Sequence, residues 1–355
     1  MTATASDFDV WDLDAFVRGE HHAWLRELRN DDPGIHWIDE GERGPGFWAV
    51  TRLEHLREVN RTPEVFSSNH RGTQINEPEE GGIDAVARDS LMLSMDPPKH
   101  TRYRKLVNRG FTPRMINMLD AYLENRSKMI IDLVCERGEA EFVIDIAAEL
   151  PLQAIAEIVG VPMDDRDKIF EWTNRMIGSD DPDFAHSPEH VQEAFTELYM
   201  YSHNLQQARR AQPADDIVTR LLEADIDGEK LDETEFDMFF LLLCVAGNET
   251  TRNSLSWGMH GFMTNPDQWA LLLDDLDGRM AGAVEEVVRW ATPVMNFRRQ
   301  AMQDYTLGGV QIREGDKVIM WHASANRDER AFDRPYEFDI TRWPNDHIGF
   351  GGGGP

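Results

Sequence analysis

The fold is decided by residues 238–252, MFFLLLCVAGNETTR, which lie in a long stretch without a helix breaker. Residues 238–247 are apolar on every face of a helix, so this helix must run through the core. A glycine and several polar side chains follow at residues 247–252, and both are costly in a buried helix. Such a conflict between local rules and burial is expected at a functional site. The alternative is a solvated turn of a long surface helix, which the apolar residues before it disfavour.

The helix that contains this stretch has recognisable ends. Residues 231–236, LDETEF, are typical of a helix start, because Asp232 can cap the first turn and Glu235 can bond back to it. The next breaker is Pro266. The sequence therefore predicts one central helix within 232–265, roughly 32 residues and so about 48 Å long at 1.5 Å per residue.

Helical patterns dominate the rest of the chain. Strand-like runs occur near its two ends, at residues 47–50 (FWAV), 310–312 (VQI) and 318–321 (VIMW). The sequence therefore predicts a mainly α fold with a small β lobe drawn from both ends of the chain. A lobe built in this way favours a single domain over residues 1–355.

The composition limits the classes of function. A net charge of −29 over 355 residues argues against non-specific binding to nucleic acid or to an anionic membrane. The two cysteines, Cys135 and Cys244, form no disulfide framework and have no metal-ligand spacing. The N-terminus lacks the pattern of a signal peptide, and the longest apolar run has too few residues to span a bilayer. We expect a monomeric cytoplasmic protein without a membrane span.

Three arginines and a histidine are candidate anion ligands. His100 and Arg104, in the segment DPPKHTRYR at residues 96–104, share one face of a predicted helix and could clamp carboxylates. The alternative is a basic surface paired with Asp or Glu. Arg298-Arg299 precedes the second strand region, where one arginine could face the same anion; the alternative there is a surface charge.

A second set of charges is a candidate structural cluster. Glu286 and Arg289 are three residues apart in a helix and can pair. Further on, Arg342 ends an aromatic and proline-rich meander. If Arg342 folds back on the pair, the three residues form a buried ionic knot that fixes register.

Four motifs in this order resemble the cytochrome P-450 superfamily of haem-thiolate monooxygenases, over residues 32–355. They are His100-xxx-Arg104, Ala246-Gly247-x-Glu249-Thr250, Glu286-x-x-Arg289 and Phe350-Gly351-Gly352-Gly353. The resemblance implies haem as cofactor and places the long helix over its distal face. It further implies haem contacts and a substrate-lining segment at these positions: His100, Arg104 and Arg299 on the propionates, Ala246, Gly247 and Phe350 on the ring, and Val294, Met295, Asn296 and Phe297 on the substrate.

The resemblance also implies a role for the polar stretch of the long helix. Cleaving the O–O bond consumes two protons, so a proton path is needed. Gly247, lacking a side chain, would leave a groove for dioxygen. Thr250 would hold the distal oxygen or a water, and Glu249 would connect that water to bulk protons as a general acid.

The sequence departs from the family pattern at its end. The cysteine that ligates iron follows the Phe-Gly loop in the family, so it would lie beyond Pro355, and no metal ligand is expected within these residues. Cys135 and Cys244 lie elsewhere in the chain. We therefore expect the P-450 fold without its cysteine loop, the following helix and the last strands, and thiolate-ligated haem only in a longer chain.

The function implied is insertion of one oxygen atom from O2 into a C–H bond of an apolar substrate. The segments 246–253 and 324–329 look most like bacterial members that oxidise steroid side chains, branched lipids or terpenoids. Such enzymes take electrons from a ferredoxin and an NAD(P)H-dependent ferredoxin reductase. Two alternatives are a non-catalytic binding module that has lost haem and a peroxide-driven haem enzyme. The intact pair Glu249-Thr250 favours the monooxygenase over both.

Overall fold

The computed structural model describes residues 9–78, 88–111, 113–178, 187–225 and 228–351. Its contacts divide the chain into two compact units. The first unit combines Met1–Pro78 with Trp257–Pro355, and the second unit is Glu79–Ser256. Gly352 and Gly353 of the predicted haem loop lie outside the described residues.

Helices make up most of the described chain. In the first unit they are α1 (Leu13–Val17), α2 (Glu20–Asn30) and α3 (Leu53–Arg61). The second unit follows with α4 (Lys99–Gly110), α5 (Pro113–Cys135), α6 (Glu149–Ile158), α7 (Arg166–Ile177), α8 (Pro188–Ala211), α9 (Ile217–Glu223) and the start of α10 (Glu233–Thr264). The chain then returns to the first unit with α11 (Pro266–Asp274), α12 (Leu276–Ala291) and α13 (His322–Ala325).

The β structure belongs to the first unit and uses both ends of the chain. Its strands are β1 (Ile35–Ile38), β2 (Phe47–Val50), β3 (Phe66–Ser67), β4 (Asn296–Ala301), β5 (Tyr305–Leu307), β6 (Val310–Ile312) and β7 (Lys317–Trp321). One sheet has the order β1-β2-β7-β4-β3, with β2 and β7 parallel and the other pairs antiparallel. A separate hairpin joins β5 to β6. The predicted β lobe from both chain ends is therefore confirmed.

The strand β7 explains how this sheet is packed. Val318 and Met320 are buried in one apolar cluster, while Ile319 and Trp321 are buried in another. Because successive side chains of a strand point to opposite faces, both faces of the sheet are covered. A strand that is buried on both faces has a continuous run of apolar residues, and this run is the signal that predicted β7 from the sequence.

One prediction about the lobe was wrong. Arg298 and Arg299 do not precede the strand region but lie inside β4, opposite Ile319 and Val318 of β7. The strand was missed because its sequence, NFRRQA, lacks the alternation of apolar and polar residues that marks a half-buried strand. Both arginines are nevertheless buried.

The long helix α10 begins and ends within one residue of its predicted bounds. Its start is a capping box: the Glu235 amide donates to Asp232 Oδ1 at 2.7 Å, and the Asp232 amide donates to Glu235 Oε2 at 3.1 Å. Leu231 and Phe236 are buried in the same apolar cluster of the second unit, as a hydrophobic staple requires. The apolar first half of the helix is therefore fixed in that core.

The mainly α fold with a small β lobe is confirmed. The single domain over residues 1–355 stays a prediction. Within the described residues, no helix combines the length and apolar character needed to cross a membrane.

The capping box generates a stability prediction. Asp232→Ala removes the acceptor of the Glu235 amide, so we expect the free energy of unfolding to fall by about 1 kcal/mol. Urea unfolding followed by circular dichroism measures this change. The control is Asp274→Ala, since Asp274 is an exposed aspartate at the last residue of α11. Equal unfolding midpoints for the two variants would contradict the capping role.

Candidate functional site

Glu286, Arg289 and Arg342 form a buried ionic cluster in the first unit. Arg289 donates from Nε and Nη2 to both Glu286 oxygens at 2.7 Å, and neither side chain has exposed surface. Arg342 Nε donates to Glu286 Oε2 at 3.1 Å. The Asp339 amide and the Asn345 side chain also donate to this carboxylate, at 2.9 and 3.1 Å. Five hydrogen-bond donors thus surround one buried carboxylate, and its charge is well compensated.

The same guanidinium groups fix the path of the chain after α13. Arg289 donates to the carbonyl oxygens of Asn326, Pro335 and Glu337 at 2.8, 2.9 and 3.2 Å. Arg342 shares the Glu337 carbonyl at 3.0 Å. A segment without regular secondary structure is therefore held through its own carbonyl groups, which fixes its register on α12.

Asn60 and Asn326 connect the start of the predicted haem loop to the rest of the first unit. The Ile348 amide donates to Asn326 Oδ1 at 2.9 Å. Asn60 Nδ2 donates to the Gly351 carbonyl at 2.8 Å, while Arg299 Nη2 lies 3.5 Å from Asn60 Oδ1. Sequence reasoning missed Asn60. Its signal is a polar residue next to the buried Val59 in α3 that is itself only 4% exposed.

Arg299, a predicted propionate ligand, is a buried cation of β4. It is 7% exposed, so the alternative of a surface charge is wrong. Its neighbour Arg298 has a carboxylate partner, Glu77, at 3.1 Å, and alternation along the strand puts the two side chains on opposite faces. The role of Arg299 as an anion ligand stays a prediction. Phe350, the predicted ring contact, is 81% exposed.

The predicted substrate-lining segment leads into β4. Val294, Met295, Asn296 and Phe297 are all half-buried, as residues that line a pocket can be. The Phe297 ring packs edge-on against His322, with centroids 5.7 Å apart. His322 Nδ1 lies 3.3 Å from the Val294 carbonyl. Sequence reasoning missed His322, which is 2% exposed; burial lowers its pKa to about 4, so its imidazole is neutral at pH 7.

The polar stretch of α10 belongs to the second unit. Thr250 Oγ1 donates to the Ala246 carbonyl at 2.7 Å, four residues back, which leaves the hydroxyl oxygen able to accept. A side chain at Gly247 would approach Ile155 of α6 to 3.1 Å. The missing side chain thus accommodates Ile155 on that side, and the groove expected at Gly247 stays a prediction.

Glu249 is held by neighbours on its own helix. Arg252 Nη2 donates to both Glu249 oxygens, and Asn253 Nδ2 donates to Oε1 at 3.3 Å. Arg252 Nη1 reaches Asn174 Oδ1 of α7 at 3.4 Å. The Glu249 side chain is 22% exposed, so the carboxylate is anchored and still partly accessible to solvent.

His100 and Arg104 lie one turn apart on α4, also in the second unit. Within the described ranges, neither forms an ion pair with a carboxylate, whereas their neighbour Arg102 pairs with Glu229 and Glu235 at 2.6 and 2.8 Å. The alternative of a basic surface paired with acids thus finds no support at His100 and Arg104. Burial and then the charge of Arg104 lower the pKa of His100. That Arg299 of the other unit faces the same anion stays a prediction.

Neither cysteine meets the requirements of a thiolate ligand to iron. Cys135 is exposed at the end of α5, and Cys244 has no exposed surface. Burial raises the pKa of the Cys244 thiol, whereas ligation needs a thiolate. The described residues therefore offer candidate rim ligands for haem but no axial sulfur.

Comparison with known proteins gives one consistent result. The family model described as Cytochrome P450 matches residues 152–353. The chain is 45% identical over 355 residues to a steroid C26-monooxygenase of Mycolicibacterium smegmatis, covering 98% of this chain and 82% of the relative. It is 37% identical to a methyl-branched lipid omega-hydroxylase of Mycobacterium tuberculosis, covering 98% and 81%.

The fold comparison agrees with the sequence comparison. A cytochrome P450 of Mycobacterium marinum in complex with pseudoionone matches with a TM-score of 0.87 and 38% identity, covering 98% of this chain and 87% of that one. A testosterone complex of a Bacillus megaterium relative matches with a TM-score of 0.79 and 28% identity, covering 93% and 83%.

The ionic cluster generates a second stability prediction. Arg289→Met leaves the Glu286 carboxylate buried without its main partner, so the free energy of unfolding should fall by about 3–5 kcal/mol. Arg342→Met, which removes one of the five donors, should cost less. The control is Arg334→Met, because Arg334 pairs with Glu337 in the same segment but is exposed; no measurable loss is expected there. Urea unfolding midpoints decide, and similar losses for Arg289→Met and Arg334→Met would refute the argument.

Proposed function

The chain belongs to the cytochrome P450 family of haem-dependent monooxygenases, and on that premise we propose that a longer chain, which also carries the haem-ligand cysteine of the family, hydroxylates the terminal carbon of a steroid side chain or a methyl-branched lipid. The observation that carries the proposal is the pair of functional groups on α10. Thr250 presents a hydroxyl fixed by the Ala246 carbonyl, and the adjacent Glu249 presents a partly exposed carboxylate. A binding module has no need of these two groups side by side on this helix.

The substrate class rests on the relatives. A steroid C26-monooxygenase is 45% identical and a methyl-branched lipid omega-hydroxylase 37% identical to this chain. Both names describe oxidation near the end of a branched aliphatic chain. The half-buried residues 294–297 support an apolar pocket wall here, with Phe297 held by His322.

The reaction converts RH, O2, two electrons and two protons into ROH and water. Haem, when bound, supplies oxygen activation. We propose that His100, Arg104 and Arg299 hold its carboxylates and that Ala246, Gly247 and Phe350 contact its ring. Neither Cys135 nor Cys244 fits as its axial ligand.

The work left to the protein is to deliver protons and to orient the substrate. The Thr250 hydroxyl, which donates to Ala246, can accept a hydrogen bond from a water and so hold that water in place. Glu249 can pass a proton from solvent to that water, because its side chain is both close in sequence and partly exposed. Phe297 and Val294 restrict the substrate to one orientation.

The electron donor and the cellular compartment are part of the same proposal. A ferredoxin that is reduced by an NAD(P)H-dependent reductase would supply electrons one at a time. Both cysteines of the chain are free thiols, which supports a reducing compartment such as the cytoplasm.

A substrate titration tests the proposed class. In a haem-loaded chain that includes the ligand cysteine, we expect a steroid with an intact branched side chain to cause a shift to high spin at micromolar concentration, because the side chain would fill the apolar pocket beside residues 294–297. The matched control is the same ring system without the side chain, which should shift it far less. Mass spectrometry of the product should place oxygen on a terminal carbon. Equal spin shifts for the two steroids would contradict the proposal.

The role of Thr250 generates a separate prediction. Thr250→Ala in the haem-loaded protein should increase hydrogen peroxide release severalfold per O2 consumed while substrate affinity stays unchanged, because protons arrive without an ordered acceptor. Thr250→Ser should restore coupling. The control is Thr251→Ala, at the exposed neighbouring position. Unchanged coupling in Thr250→Ala would exclude the role, and full turnover with peroxide alone would favour a peroxide-driven enzyme.

A further inference from the structure

Arg327, in the segment after α13, is a buried cation that forms no ion pair within the described part of the chain. It is 6% exposed. Its Nη2 donates to the Trp290 carbonyl at 2.8 Å, and its guanidinium lies over the Trp290 ring, 5.3 Å from the centroid. Its Nη1 is buried and has no hydrogen-bond partner among the described residues. Burial, and then the charge of Arg289, lower the pKa of Arg327 to about 10, so the side chain is still charged at pH 7.

The carboxylates near Arg327 bind other arginines. Glu286, whose charge acts on Arg327, accepts from Arg289 at 2.7 Å. Glu329 accepts from Arg29 at 2.9 Å. A buried charge is costly unless it is paired and hydrogen-bonded. An anion from outside the chain would therefore supply the partner that the described residues do not give to Arg327.

A cavity of about 460 Å³ in the first unit is open to solvent near this guanidinium. Its walls are formed by His22, Ala23, Arg26, Glu27, Asn30 and Tyr336. Arg327 is close to two of these residues. Burial and then the charge of Arg327 lower the pKa of His22 to about 2, and Tyr336 acts on the pKa of Arg327 in turn. Arg327 is therefore placed behind the His22 and Tyr336 side of the cavity.

His22 and Tyr336 also offer hydrogen-bond donors. His22 Nδ1 is buried and has no partner in the ranges that the structure describes, and a neutral imidazole can carry its proton on this atom. The Tyr336 hydroxyl accepts from Arg29 Nη2 at 2.6 Å, which leaves its own proton able to donate. Arg26 lies over the Tyr336 ring, 5.0 Å from the centroid, and adds a positive charge at the rim.

We propose that this cavity binds a small organic monocarboxylate, held by Arg327 Nη1, His22 Nδ1 and the Tyr336 hydroxyl. The inference does not rest on the proposed function. A single carboxylate balances the one unpaired guanidinium, and hydrogen bonds from such donors to an ionised acceptor are stronger than those to a neutral one.

The walls of the cavity favour a monocarboxylate over other anions. A dianion such as phosphate would bring a second negative charge close to the Glu27 carboxylate, which lines the same cavity. A halide ion would leave most of the volume unfilled. Ala23 and the Tyr336 ring instead give apolar surface to a short alkyl chain.

Thermal unfolding with butyrate as the probe tests the site. Butyrate should raise the unfolding midpoint of the haem-loaded protein at pH 7, because a ligand stabilises the state that it binds. We expect a dissociation constant on the order of a few millimolar for so small a ligand. Butyramide, which has nearly the same shape without the charge, and chloride at the same ionic strength should have no such effect.

Variants locate the binding. His22→Phe removes one donor from the cavity wall, and Arg327→Met removes the unpaired charge. Each should weaken butyrate binding by about tenfold or more, as expected when a hydrogen bond to a charged group is lost. The matched control is Arg330→Met, in the same segment, because Arg330 already has a carboxylate partner in Asp328 at 3.6 Å. Butyrate binding should be unchanged there.

The outcomes decide for or against the site. A rise with butyrate that is lost in His22→Phe and Arg327→Met but kept in Arg330→Met supports it. An equal rise with butyramide or chloride, or a full rise in His22→Phe, overturns it, and a larger effect of phosphate than of butyrate overturns the choice of a monocarboxylate. If Arg327→Met does not fold, His22→Phe decides. No readout involves steroid oxidation, so this site and the proposed function fail independently.

Discussion

The chain path in part of the first unit depends on one carboxylate, that of Glu286, which is buried away from water. Glu286 has no exposed surface and would be very costly to bury alone, yet five donors from a helix and a coil surround it. A buried ion pair of this kind adds little net stability over an apolar substitute, but it strongly penalises any arrangement in which one partner is absent. It therefore favours a single path for residues 326–345. The hydrogen bond from the Ile348 amide to Asn326 then fixes the start of the predicted haem loop to this segment.

The polar groups in the middle of α10 are hydrogen-bonded less completely than Glu286. Among the described residues, Asn248 and the Nε of Arg252 are buried without hydrogen-bond partners. The Glu286 carboxylate, by contrast, accepts from five donors. The two networks thus differ in how completely their central polar groups are paired. That distinction comes from hydrogen-bond accounting within each unit and is independent of any relative.

The sequence predicted the elements whose signals are local. The ends of α10 follow from the capping residues and Pro266, and β2, β6 and β7 from short runs of β-branched and aromatic residues. It missed β4, because Arg298 and Arg299 are buried by partners 222 and 239 positions away, Asn76 and Asn60. It also missed Asn60 and His322 as site residues, since their neighbours are distant in the chain. The order of the motifs identified the family. The approach of Ile155 to Gly247 and the anchoring of Glu249 by Arg252 could not be predicted from the sequence and were seen only in the structure.

Gly247 shows that a residue of a functional motif can also serve packing. The sequence suggested that a missing side chain opens space, and the structure places Ile155 in that space. Ile155 of α6 thus lies against α10 at this residue, and Asn248 next to it has no exposed surface. Desolvation strengthens every polar interaction at this turn, including the grip of Arg252 on Glu249. The glycine therefore lets Ile155 approach the helix within one turn of the position where Arg252 holds Glu249.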